Sequence, residues 1–224
     1  HMRRYIYFVF LLCCAVNLLL TSCVRQKYVV MDMVHHNPGE AMTESKFLDP
    51  SFLKKNEYGA KVFFLFEAAQ FGIDWKSFDP SLFPDTTEAG RWVAEKAEII
   101  HKKYDAAKKE DLQVYCMLDM LVLPSLLVEK HRTELTNEQG KLDISKPYTQ
   151  LCIRELMKEM FETFPQLDGL VIRTGETYLH DAPYYVGNHP VQNGMYDHIT
   201  LINLLREEVC ERRNKKLFYR TWDM

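Results

Sequence analysis

The chain has 224 residues, enough for one sizeable domain, and its 47% hydrophobic content is ample for a packed core. Its formal net charge is -3, from 28 Lys and Arg against 31 Asp and Glu. That balance leaves no basic footprint and excludes a nucleic-acid-binding surface.

The first element is a leader. Arg3 and Arg4 precede an apolar run from Tyr5 to Leu20, the charged and apolar regions of a secretory signal. The run closes on Leu20-Thr21-Ser22-Cys23, which resembles the lipobox of bacterial lipoproteins. The resemblance implies cleavage before Cys23 and acylation of that residue. Residues 1–23 are thus expected to be a signal peptide and 24–224 the mature protein, tethered to a membrane by a lipid anchor. Val24 is not an Asp, which by the same resemblance implies the outer membrane. Of the six cysteines, Cys13 and Cys14 lie in the leader and Cys23 is the lipid site. Cys116, Cys152 and Cys210 remain, with no Cys-x-x-Cys pair. This argues against a disulfide framework and against a structural zinc site, and it reads as buried free thiols.

Beyond the leader, strand and helix alternate. Lys27 to His35 reads as a first strand, and Asp49-Pro50-Ser51 opens a short helix through Asn56. Lys61 to Phe66 is a second strand, followed by Glu67, and Phe71 to Asp85 is loop. Thr86 or Thr87 caps a long helix with Val93, Ala97, Ile100 and Tyr104 on one face. Leu112 to Leu118 is a third strand, followed by Asp119. A helix from about Tyr148 to Phe164 turns Ile153, Met157, Met160 and Phe164 inward. Leu167 to Ile172 is the fourth predicted strand. A last helix, Asp197 to Arg213, presents Ile199, Ile202, Leu205 and Val209, and Lys216 to Thr221 is a fifth strand.

These strands are too apolar for one exposed face, so the alternation implies a parallel sheet. A doubly wound sheet and a (β/α)8 barrel compete. No Gly-rich phosphate turn follows any strand. The strand ends carry His36, Glu67, Asp119, Glu176 and Asp223 instead, which suits a barrel mouth. The expected fold class is α/β: a parallel (β/α) barrel, truncated after about five of its eight units.

The run from Leu167 to Glu176 is the most informative. An Asp-Gly turn leads through an apolar block to Arg173, Gly175 and Glu176, with Tyr178, His180, Asp181 and Tyr184 crowded behind. A Glu just past a buried parallel strand sits where ligands bind and chemistry happens. Glycosidic hydrolysis takes two carboxyl groups, one to protonate the leaving oxygen and one to attack or to activate water. Glu176 is placed for the general acid, and Asp119 is the leading second carboxylate, with Glu67 and Asp223 as alternatives. His36, Glu67, Arg173, Tyr178, His180 and Asp223 are the expected substrate-binding residues. Trp75, Phe78, Tyr178, Tyr184, Tyr185 and Trp222 could pack on the C-H faces of sugar rings.

The pieces Val34 to Glu40, Phe64 to Ala68 and Leu170 to Tyr178 resemble those of glycoside-hydrolase-type (β/α)8 barrel lipoproteins of Gram-negative polysaccharide degraders. The layout is similar to that of alpha-glucuronidases and of retaining glycosidases with a strand-four Glu acid. The resemblance implies a carbohydrate substrate, no cofactor and no metal, and a second catalytic carboxylate on a seventh strand that this sequence does not carry. It therefore implies that residues 1–224 alone are inactive.

Two other readings stay open. A metal-dependent hydrolase could draw ligands from His35, His36, Glu67, Asp119 and His180. A non-catalytic glycan-binding lipoprotein would keep the mouth without the chemistry.

Overall fold

The computed structural model describes residues 30–32, 45–64, 67–175, 177–179 and 182–220. The leader, Cys23, His35, His36, Glu176, His180, Asp181, Trp222 and Asp223 lie outside the described residues. So does most of the first expected strand, of which β1 (Met31–Asp32) is described.

Helix α1 (Pro50–Lys55) starts as its residues dictate. Pro50 occupies the first turn, and the Asp49 side chain accepts from the Ser51 N–H at 3.0 Å. Strand β2 (Ala60–Phe64) leads to a 3-10 turn at Ala69–Gly72 and then to helix α2 (Glu88–Lys109). Thr87 caps α2 by accepting from the Gly90 N–H at 3.0 Å. Glu88 in the first turn and Lys108 and Lys109 in the last complement the helix dipole. Strand β3 (Gln113–Asp119) runs on into β4 (Val122–Pro124), α3 (Ser125–Lys130), α4 (Arg132–Leu135) and α5 (Pro147–Thr163). Then come β5 (Gly169–Arg173), β6 (Tyr185–Gly187) and α6 (Met195–Leu205), which widens into a π-helical turn at Arg206–Glu211 before β7 (Lys216–Arg220).

The main sheet is parallel throughout, in the order β1-β2-β3-β5-β7. The strands are sequential neighbours, and β4 and β6 leave the sheet to form their own antiparallel pair. The fourth and fifth strands expected from the sequence are thus β5 and β7. The Asp168-Gly169 turn anchors β5. The Asp168 carboxylate accepts from the Val114 N–H at 2.7 Å and from Lys108 Nζ at 2.5 Å. A Cβ at Gly169 would lie 2.1 Å from the Lys216 carbonyl oxygen, so β5 can start beside β7 only without a side chain.

Successive side chains of a strand alternate between faces, and here the alternation separates two apolar clusters. Phe63, Val114, Cys116, Leu118, Leu170 and Ile172 pack with buried residues from all six helices, α1 to α6. The opposite face carries Ala60, Val62, Phe64, Tyr115, Met117 and Val171, with Met31 and Tyr178 against it and no helical residue among them. Crossovers of one hand between sequential parallel strands put every helix on the same face. Among the described residues this one-sided covering is consistent with a partial α/β barrel, and it differs from a doubly wound sheet, which is covered on both faces. Among the described residues no helix is long and apolar enough to cross a membrane.

In α5 the inward residues are those the spacing predicts: Ile153, Met157, Met160 and Phe164 are fully buried. Helix α6 agrees in part: Leu205 and, in the turn beyond it, Val209 are buried as the spacing predicts, whereas Ile199 is 48% exposed and Leu201 and Leu204 are buried beside them. At its start Asp197 turns inward and accepts from the Gln192 and Asn193 N–H groups, each at 2.6 Å.

Candidate active site

The C-terminal ends of the parallel strands share one rim. Asp119 and Arg173 close β3 and β5 as register partners, and Arg220 closes β7 beside Arg173. Alternation places Asp119 and Arg173 on the helix-free face, in line with Met117 and Val171. Both are buried, at 1% and 3% exposure. Arg173 Nε and Nη2 donate to Asp119 Oδ1 and Oδ2 at 2.5 and 2.8 Å. This two-point fork matches guanidinium to carboxylate geometry. The guanidinium carbon also lies 5.2 Å from the Phe64 ring centroid and 4.6 Å from that of Tyr178.

The segment after β5 is tied down on both sides of Glu176. Gly175 takes a positive φ of 99°, which favours glycine, and its N–H donates to His189 Nδ1 at 3.0 Å. The Tyr178 N–H donates to Asp119 Oδ2 at 2.9 Å. Just before, the Thr174 N–H and hydroxyl donate to the Arg220 carbonyl at 3.3 and 3.2 Å. The Thr177 hydroxyl is buried without a hydrogen-bond partner. Below the rim, on the same face, Tyr115 meets Phe218 edge-on, with centroids 5.4 Å apart. Burial first, and then the Asp168 charge, push the Tyr115 phenol up to about 12.

The sequence-based site residues fall into three groups. Asp119, Arg173 and Tyr178 meet at the rim. Asp119, expected as the second catalytic carboxylate, has both oxygens occupied by Arg173 and the Tyr178 N–H. Glu67 follows β2 but turns to the helical side, where Lys103 of α2 donates to it and the Tyr104 hydroxyl donates to its carbonyl at 2.8 Å. Glu176, His36, His180 and Asp223 lie outside the described residues. The expected aromatic platforms are corrected in part: Trp75 is fully buried and Tyr185 is 5% exposed. Tyr185 packs on Phe71, Phe83 and Trp92, so these two rings belong to the core and offer no face to a sugar. Among the described residues no group of three or more His, Cys, Asp or Glu could hold a metal ion.

No protein-family model matches the chain, and no curated protein matches it. Among solved structures it is similar to a noncanonic maltogenic alpha-amylase from Thermotoga neapolitana, at 13% identity and a TM-score of 0.45. That likeness covers 79% of this chain and 41% of the amylase. The chain is also similar to a GH138 enzyme targeting pectin rhamnogalacturonan II, at 14% identity and a TM-score of 0.37. Here 67% of this chain and 18% of the other are covered. The chain therefore spans less than half the length of either protein.

Two site features escaped the sequence reading. His189 had no motif around it, being held over β5 by pairing of distant segments. Asn188 exchanges backbone hydrogen bonds with Leu121 at 2.9 and 3.0 Å, extending the β4–β6 ladder to the residue beside His189. Phe64 looked like an ordinary strand residue. Its place under Arg173 depends on the pairing of β2, β3 and β5.

Proposed function

We propose that this chain is part of a glycoside hydrolase barrel, with carbohydrate lying across the C-terminal rim and Glu176 as general acid. The observation that carries the reading is the buried Asp119–Arg173 pair at the rim, with the Arg173 guanidinium over the Phe64 and Tyr178 rings. A fold does not need this pair. Taking two charges out of water costs several kcal/mol per ion, and apolar residues of similar volume often serve stability as well. Its position at the ligand-binding edge of a parallel sheet, three residues before Glu176, supports a site that holds fixed charge for a polar ligand.

In this reading Asp119 is an anchor and not the second catalytic carboxylate, because both of its oxygens are used. Asp223, after β7, is the remaining carboxylate of this chain for that role, alongside a seventh-strand residue of a longer protein. Glu176 must keep its proton near neutral pH, which takes burial or a nearby negative charge. The mature chain is anchored by acylated Cys23 at the outer membrane, a reading supported by Leu20-Thr21-Ser22-Cys23.

The test is reducing-sugar release from a panel of oligosaccharides by the longest natural chain containing these residues, compared with Glu176→Gln. Oligosaccharide binding without turnover would replace this reading with a glycan-binding lipoprotein. Fatty-acid labelling that survives Cys23→Ala would overturn the anchor.

A further inference from the structure

We infer that His189 is a positioning residue, and that with Asp119 it clamps the segment carrying Glu176. This rests on the reading of Glu176 as general acid. Only Glu176 and Thr177 lie between the two tethered amides, Gly175 N–H on His189 Nδ1 at 3.0 Å and Tyr178 N–H on Asp119 Oδ2 at 2.9 Å. The Asp119 carboxylate and the His189 backbone are each held in turn. Asp119 is held by the Arg173 fork. The His189 carbonyl accepts from Asn188 Nδ2 at 2.9 Å and Gln192 Nε2 at 2.7 Å. Asn188 in turn is pinned by Leu121 and by a two-way bond with Leu142, whose N–H donates to Asn188 Oδ1 at 2.7 Å.

The chain of support runs from the antiparallel β4–β6 pair through His189 to Gly175. The excursion out of the main sheet thereby carries an imidazole acceptor over the end of β5. The positive φ of Gly175 sets the direction in which the following chain leaves that tethered N–H. A catalytic acid placed about 1 Å off its productive position can lose about 100-fold in rate. A two-point clamp around a two-residue span limits such drift.

The experiment reads amide exchange at Gly175 together with kinetics on oligosaccharide for wild type, His189→Ala, His189→Gln and His189→Asn. An Asn side chain can place its oxygen near the Nδ1 position, and Gln places it one bond farther out. We expect Ala and Gln to speed Gly175 exchange at least about 10-fold and lower kcat about 10- to 100-fold with KM little changed. Asn should restore both. Unchanged Gly175 protection in His189→Ala and His189→Gln would overturn the clamp while leaving the glycosidase reading intact. Lost protection with unchanged kcat would overturn the positioning role. A wild type with protected Gly175 and no turnover of any oligosaccharide would overturn the reading of Glu176, and the positioning role with it. Should His189→Ala fail to fold, the Gln and Asn pair carries the same comparison.

Discussion

Asp119 and Arg173 are register partners on adjacent parallel strands, and their side chains meet in a buried fork with both contacts at 2.8 Å or less. Removing one partner takes from the other its counter-charge in this buried fork. We expect Asp119→Ala or Arg173→Leu to destabilise by about 3–5 kcal/mol in denaturant titration. The double variant Asp119→Leu/Arg173→Met replaces both charges with apolar volume and should lie closer to wild type than either single change. Additive losses in the double variant would show that the pair is not coupled.

Glu176→Gln keeps shape and hydrogen bonding but has no transferable proton. For substrates with poor leaving groups we expect kcat/KM to fall by about 10^2 to 10^4-fold. Activated aryl glycosides need little protonation and should lose much less. Comparing the two substrate classes checks this, and equal losses on both would remove Glu176 from the acid role.

The thiols should react in a set order. Burial pushes the Cys116 thiol up to about 11 and the Cys152 thiol up to about 12, and both side chains are fully buried. Cys116 Sγ also accepts from the Ala69 N–H at 3.2 Å. Cys210 is partly exposed. Peptide mass spectrometry after native alkylation should find Cys210 modified first, with Cys116 and Cys152 labelled only on unfolding.

Asp79 supplies a pH dependence. Its carboxylate accepts from Lys130 Nζ at 2.8 Å and from the Ser81 hydroxyl and N–H at 2.6 and 2.9 Å. Lys130 first, and then Ser81, lower the group from 3.8 to about 2. A depressed folded-state value means the contribution is fully present above about pH 4 and is lost as pH falls through about 2. Wild type should therefore exceed Asp79→Asn in stability at about pH 6, and the two should converge near about pH 2. A constant gap in acid denaturation would contradict the assignment.

Much of the frame was readable because it follows local rules. The Thr87 cap with Val93, Ile100 and Tyr104 marks α2, and the inward face of α5 follows the helical spacing. The apolar runs ending in Asp119 and Arg173 mark β3 and β5. The β4–β6 pair was not readable. Val122–Pro124 and Tyr185–Gly187 are each three residues long, too short for a period, and they pair across a long separation. Helices α3 and α4, six and four residues long, are equally brief. In α6, the inward turn of Asp197 onto two loop amides is encoded by no spacing rule. In the site, single strand-end residues were visible, but their pairing was not. That Asp119 would be consumed by Arg173, and Glu67 by Lys103, is decided by strand neighbours and by which way a side chain turns as it leaves the sheet.

The widened turn at Arg206–Glu211 has an evolutionary consequence. A π turn holds one residue more than the α-helix it interrupts, so it behaves as an insertion absorbed in place. Arg154 grips Glu207 and Glu208 there, and Val209 stays buried. The surplus is thus spent before the chain re-enters the sheet, and Lys216 still meets Gly169 in register. Loss of one residue in this turn would straighten the helix without slipping β7, whereas the same loss inside α2 would rotate its whole buried face. The segment leading to the last strand can therefore vary in length while the rim keeps its alignment.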